Sequence, residues 1–81
     1  MIKINVKLFG AFRKYGERVS FSIPSGASVQ DVKEKLAAEL KISDPAIIND
    51  SAIANDNEII GADAVFTRDS DLAILPPVCG G

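Results

Sequence analysis

The residues with most to offer chemically lie together at one end of the chain, in Pro76-Pro77-Val78-Cys79-Gly80-Gly81. Two successive prolines favour an extended chain and cannot donate to a β-ladder. The two glycines that follow leave a stretch without side chains, able to enter a narrow channel and lay its backbone against a partner's atoms. The segment also holds Cys79, the single cysteine of the chain. A frayed end is the ordinary fate of terminal residues. A stiff Pro-Pro spacer directly behind the apolar run Leu72-Ala73-Ile74-Leu75 argues for a built feature instead.

What the chain lacks points the same way. Its 81 residues include no His, no Trp and one Cys. That excludes a Ser-His-Asp triad, a Cys-His pair, an HExxH helix and any zinc site that uses His. A single cysteine excludes an internal disulfide and a CxxC pair. The pairs Asp69/Asp71 and Asp56/Glu58 lack the glycine and terminal glutamate of an EF-hand loop and read as turn residues, so no metal site is expected. Chemistry is left to carboxylates, lysines or the chain terminus, which suits a carrier, binder or subunit.

Nine Lys and Arg against eleven Asp and Glu give a net charge of −2, and the positive residues are scattered. That weighs against nucleic acid, which needs a basic stripe to neutralise phosphates. No apolar run approaches a membrane span, and Met1-Ile2-Lys3-Ile4-Asn5 alternates where a signal peptide would be continuously apolar. A cytoplasmic protein is expected, in keeping with one reduced cysteine.

A chain of this length is expected to form one domain over 1–81, with residues 76–81 as its tail. Ile2, Ile4, Val6 and Leu8 alternate with Lys3, Asn5 and Lys7, which predicts a half-buried strand. Val19, Phe21 and Ile23 predict a second, joined to the first as an antiparallel hairpin with a long connection. Ser28 and Asp31 form a capping box ahead of Val29, Val32, Leu36 and Leu40, whose spacing predicts an amphipathic helix ending before Ser43-Asp44-Pro45. Ala52-Ile53-Ala54 reads as a short strand ended by Asn55-Asp56-Asn57, with Ile59-Ile60 starting its partner. Val65-Phe66 precedes a turn at Arg68-Asp69-Ser70-Asp71. The run Leu72–Leu75 predicts a central strand buried on both faces, stopped by the prolines. A last strand beside the first would run parallel to it, with the helix as crossover. The expected class is therefore α+β: a β-grasp, with a mixed sheet and one main helix across one face.

On these elements, two segments carry a family resemblance. Leu8-Phe9-Gly10-Ala11-Phe12-Arg13 follows the first strand, and Asp69-Ser70-Asp71-Leu72-Ala73-Ile74-Leu75-Pro76-Pro77-Val78-Cys79-Gly80-Gly81 closes the chain. The chain resembles the MoaD/ThiS sulfur carriers, which are ubiquitin-like β-grasp proteins, and is most similar to the MoaD branch, the small subunits of molybdopterin synthase. The resemblance spans the whole chain. Ser70 stands where a turn glycine is common, and Cys79 where Ser or Thr is usual.

The resemblance implies a definite chemistry. A MoeB-type adenylating enzyme would use ATP to convert the Gly81 carboxylate to an acyl adenylate. A persulfide donor protein would then leave a Gly81 thiocarboxylate. Docked in a MoaE-type large subunit, that group would give its sulfur to cyclic pyranopterin. Gly81 is then the reacting residue, Gly80 gives clearance, and Pro76, Pro77, Val78 and Cys79 line the partner's channel. Phe9, Leu75 and Ile59 are implied on the docking face, with plain core packing as the alternative for each. Arg13 would meet an acidic partner group or be a solvated surface charge. Cys79 reads as a Ser-sized replacement. Catalytic side chains would belong to the partners, and this chain would bind no cofactor of its own. The alternatives are a ubiquitin-like modifier conjugated through Gly81, a carrier for thiazole or another acceptor, and a binding domain with an inert tail.

Overall fold

Ile4 and Val6 are fully buried and Leu8 almost so, while Lys3 and Lys7 face water, so the first strand has one dry side and one wet side. The computed structural model describes residues 1–43, 45–56 and 58–76. The elements are β1 (Ile2–Leu8), a 3-10 helix (Gly10–Tyr15), β2 (Arg18–Ile23), β3 (Ala27–Ser28), α1 (Val29–Leu40), α2 (Pro45–Asn49), β4 (Ala52–Ala54), β5 (Val65–Phe66) and β6 (Ser70–Leu75).

Four strands form one sheet in the order β2-β1-β6-β4. β1 pairs antiparallel with β2 (Ile4 opposite Phe21) and parallel with β6 (Val6 opposite Leu72). β4 closes the far edge, antiparallel to β6. This is the β-grasp expected from the sequence, with α1 as the crossover that brings β6 back beside β1.

The helix forms where its caps and periodicity predict. The Ser28 hydroxyl accepts from the Asp31 N–H at 3.1 Å, and the Asp31 carboxylate accepts from the Ser28 N–H at 3.0 Å. Val29, Val32 and Leu36 then point into the sheet, with Val32 and Leu36 fully buried. The helix ends at Lys41 in the left-handed conformation (φ 56°), where the N–H of Ile42 donates to the Ala37 carbonyl at 3.0 Å. That closure satisfies helix carbonyls that would otherwise lack donors.

Several details differ from the sequence reading. The long β1–β2 connection is a 3-10 helix held by the buried Phe12. Ile47-Ile48 belongs to the short helix α2, and Ile48 is buried. Val65-Phe66 is a strand: it pairs with β3 in a separate two-stranded sheet. Ile59-Ile60 does turn back along β4, as expected, but only briefly: Ile59 bridges Ala54 and the Ile60 N–H donates to the Ile53 carbonyl at 2.8 Å. β6 is central, as expected, yet it is buried on one face only. Leu72 and Ile74 face the helix, whereas Ala73 and Leu75 are half-buried on the other side. One helix covers one face, and the described elements place nothing over the other.

Among the described residues no helix is long and apolar enough to cross a membrane. Among the described residues no cluster of metal-binding side chains forms.

Candidate functional site

The parallel β1–β6 pairing brings both strand ends to the same pole. Leu8 stands opposite Ile74, so the chain leaving β1 at Phe9 and Gly10 meets the chain leaving β6 at Pro76. Gly10 starts the 3-10 helix with φ +57°. A Cβ on Gly10 would lie 2.6 Å from Pro76 Cγ and 3.4 Å from its Cδ. The Pro76 ring therefore rests directly on the backbone of Gly10, closer than a side chain there would permit.

The ground beneath that contact is firm. Phe12, fully buried, roots the 3-10 helix in the core, and its N–H donates to the Phe9 carbonyl at 3.1 Å. The Gly16 N–H donates to the Arg13 carbonyl at 3.0 Å, and the Leu8 N–H to the Glu17 carbonyl at 2.9 Å. Among the implied docking residues, Phe9 is half-buried, and Arg13 lies exposed on the same 3-10 helix.

The open face of the sheet is organised in rows set by register. Nearest the tail, Leu75 lies opposite Ala52. The next row crosses the whole sheet: Ile59, Ala54, Ala73, Lys7 and Arg18. Paired residues share a face, so these side chains stand side by side. Ile59 is 62% exposed. The Lys7 ammonium lies 6.0 Å from the centre of the Phe9 ring, at the edge of cation–π range. One row further from the tail the face turns polar. The Ser20 hydroxyl donates to the Asn5 side-chain oxygen, and the Asn5 amide donates to Asp71 at 2.9 Å. The face thus grades from apolar at the tail pole, through a cationic edge, to a hydrogen-bonded polar strip. An apolar patch beside charge is the composition of a docking surface.

Phe9, Leu75 and Pro76 stand at one pole, and Ile59 ends the next row of the open face. Ile59 is the most exposed of them. Pro77, Val78, Cys79, Gly80 and Gly81 lie outside the described residues. Lys7, Arg18 and Gly10 were not singled out as site residues by the sequence reading. Strand register is what assembles the first two, and the parallel pairing is what places Gly10 beneath Pro76.

The ThiS family model matches residues 6–81. No curated protein sequence matches the chain. Among solved structures, SAMP1 from Haloferax volcanii superposes with a TM-score of 0.77 at 18% identity, covering 98% of this chain and 99% of that one. A candidate molybdopterin converting factor, subunit 1, from Pyrococcus furiosus superposes with a TM-score of 0.72 at 25% identity, covering 96% and 100%. ATBAG1, in a complex with HSP70, gives a TM-score of 0.71 at 17% identity, with the match covering 98% of this chain and 42% of that one. Proteins as different as these share the β-grasp, so the fold alone does not assign a function.

Proposed function

Since the chain belongs to the ThiS family, we propose that it is a sulfur carrier and the small subunit of a molybdopterin synthase, working through the carboxylate of Gly81. Family and fold together describe a small sulfur carrier of the ThiS/MoaD kind or a ubiquitin-like modifier. The MoaD reading is supported by the ending Leu75-Pro76-Pro77-Val78-Cys79-Gly80-Gly81 and by the likeness to the Pyrococcus furiosus converting-factor subunit. The observation that carries it is the launch point: β6 delivers Leu75 and Pro76 to the pole where Phe9 and the apolar end of the open face stand.

In this reading the partners work on the tail. The Gly81 carboxylate attacks the α-phosphorus of ATP within an adenylating enzyme of the E1-like MoeB type, and pyrophosphate leaves. The acyl adenylate has a good leaving group where the carboxylate had none. A persulfide sulfur attacks the acyl carbon and displaces AMP. A second thiol cleaves the resulting S–S bond, becomes part of a disulfide, and leaves the thiocarboxylate on Gly81. A MoaE-type large subunit receives the tail and transfers its sulfur to cyclic pyranopterin. The sheet face docks; the tail reacts.

Intact-mass spectrometry tests the reading. Incubated with ATP, an adenylating enzyme of the MoeB type and a persulfide donor, the chain should gain the mass of one oxygen exchanged for one sulfur. The thiocarboxylated chain should then support conversion of cyclic pyranopterin by a MoaE-type subunit. Absence of the mass gain with a competent enzyme overturns the carrier role. High-mass adducts linked to lysines and lost on deletion of Gly81 would replace it with the modifier role.

A further inference from the structure

We propose that Gly10 is a positioning residue: by offering no side chain it gives Pro76 a seat on its own backbone, and so sets the direction in which the reactive tail leaves the sheet. The functional consequence rests on the carrier reading, because it is the Gly81 terminus that must be aimed.

The geometry leaves little freedom. A Cβ at position 10 would stand 2.6 Å from Pro76 Cγ, a separation that real Cβ atoms essentially never show. Neither neighbour can step aside cheaply. Gly10 is held between β1, hydrogen-bonded on both edges, and the 3-10 helix rooted by Phe12. Pro76 has no rotamer that swings its ring away, because the ring closes on its own backbone nitrogen. The strand before it is pinned by Leu8 opposite Ile74 and by Ala52 opposite Leu75. An added side chain would therefore be accommodated by turning the exit of the chain at Pro76.

That exit is the root of a lever. Five residues follow Pro76, a reach of at most about 17 Å, so the direction of the chain at Pro76 bounds where the terminus can go. A misplacement of about 1 Å at a reacting centre can cost about 100-fold in rate.

A conformational explanation competes. With φ +57°, Gly10 occupies the left-handed region, where most side chains are strained whatever lies nearby. Gly10→Asn separates the two, because asparagine tolerates that conformation but still carries the Cβ. Pro76→Ala removes the Cγ and Cδ atoms that the Cβ would strike.

Two measurements on the full chain decide it. A nitroxide on Cys79, the single cysteine, broadens amide signals according to where the tail points. Gly10→Asn should change that broadening pattern, and Gly10→Asn/Pro76→Ala should return it toward that of Pro76→Ala alone. In sulfur loading by the adenylating enzyme, Gly10→Asn should lower kcat about 10- to 100-fold, with a smaller change in KM, and the double variant should match the kcat of Pro76→Ala alone. An unchanged pattern in Gly10→Asn, or a double variant that falls below Pro76→Ala by the same factor as Gly10→Asn falls below wild type, overturns the proposal. If both variants fail to fold, the glycine serves the backbone alone and the proposal falls. If wild-type chain takes up no sulfur, the carrier reading fails, and the broadening patterns still decide whether Gly10 aims the tail.

Discussion

Lys7 and Arg18 stand directly opposite each other on neighbouring antiparallel strands, two cations side by side on the exposed face. Like charges in that relationship oppose folding. Arg18→Thr should therefore stabilise the domain by about 0.2–1 kcal/mol. The gain should shrink as added salt screens the repulsion. Thermal unfolding at low and high ionic strength checks both statements. A loss of stability at low salt would contradict them.

The start of α1 depends on a reciprocal pair of hydrogen bonds between Ser28 and Asp31. Ser28→Ala leaves the Asp31 N–H without its side-chain acceptor. The expected cost is about 1 kcal/mol, which lowers Tm by about 4–8 °C in a domain of this size. Calorimetry of the single variant measures it.

At the other end of α1, Lys41 holds a left-handed conformation that suits glycine better. Lys41→Gly should raise stability by roughly 0.5–1 kcal/mol, since it keeps the closing N–H bonds and removes the Cβ conflict. A rise in the urea midpoint with an unchanged slope is the expected result.

Ile59 is 62% exposed at the end of the row that crosses the open face. Ile59→Lys should leave stability within about 0.5 kcal/mol of wild type, because most of the residue already faces water. It should raise KM for the adenylating partner while sparing kcat. Equal KM values in variant and wild type would remove Ile59 from the docking surface.

Local features were the ones legible from sequence. The alternation at Ile2, Ile4, Val6 and Leu8, the caps at Ser28 and Asp31, and the helical spacing of Val29, Val32 and Leu36 each encode a structure within a few residues. The structure reproduces all three. The parallel placement of β6 beside β1 was also readable, because a strand–helix–strand order with one crossover leaves few topologies. Short elements were not. β5 is two residues long and exists by pairing with β3 across a long stretch of chain. Ile47-Ile48 became helical although two residues carry no period to read. A run such as Leu72–Leu75 does not say whether one face or both will be covered, since that depends on how many helices the rest of the chain can supply.

The sequence by itself determined which chemistries its side chains exclude and which tail, Pro-Pro-Val-Cys-Gly-Gly, the carrier proposal rests on: without histidine and with one cysteine it offers neither an imidazole catalyst nor an internal disulfide. It also determined the class of fold, through periods of two and of 3.6 residues. Only the tertiary structure decided what surrounds the root of that tail. Lys7 and Arg18 became neighbours through strand register, and Gly10 came to lie under Pro76 through the parallel pairing of β1 and β6. Gly10 and Pro76 are separated by nearly the whole chain. No local pattern encodes their contact; the folding of the intervening residues brings them together.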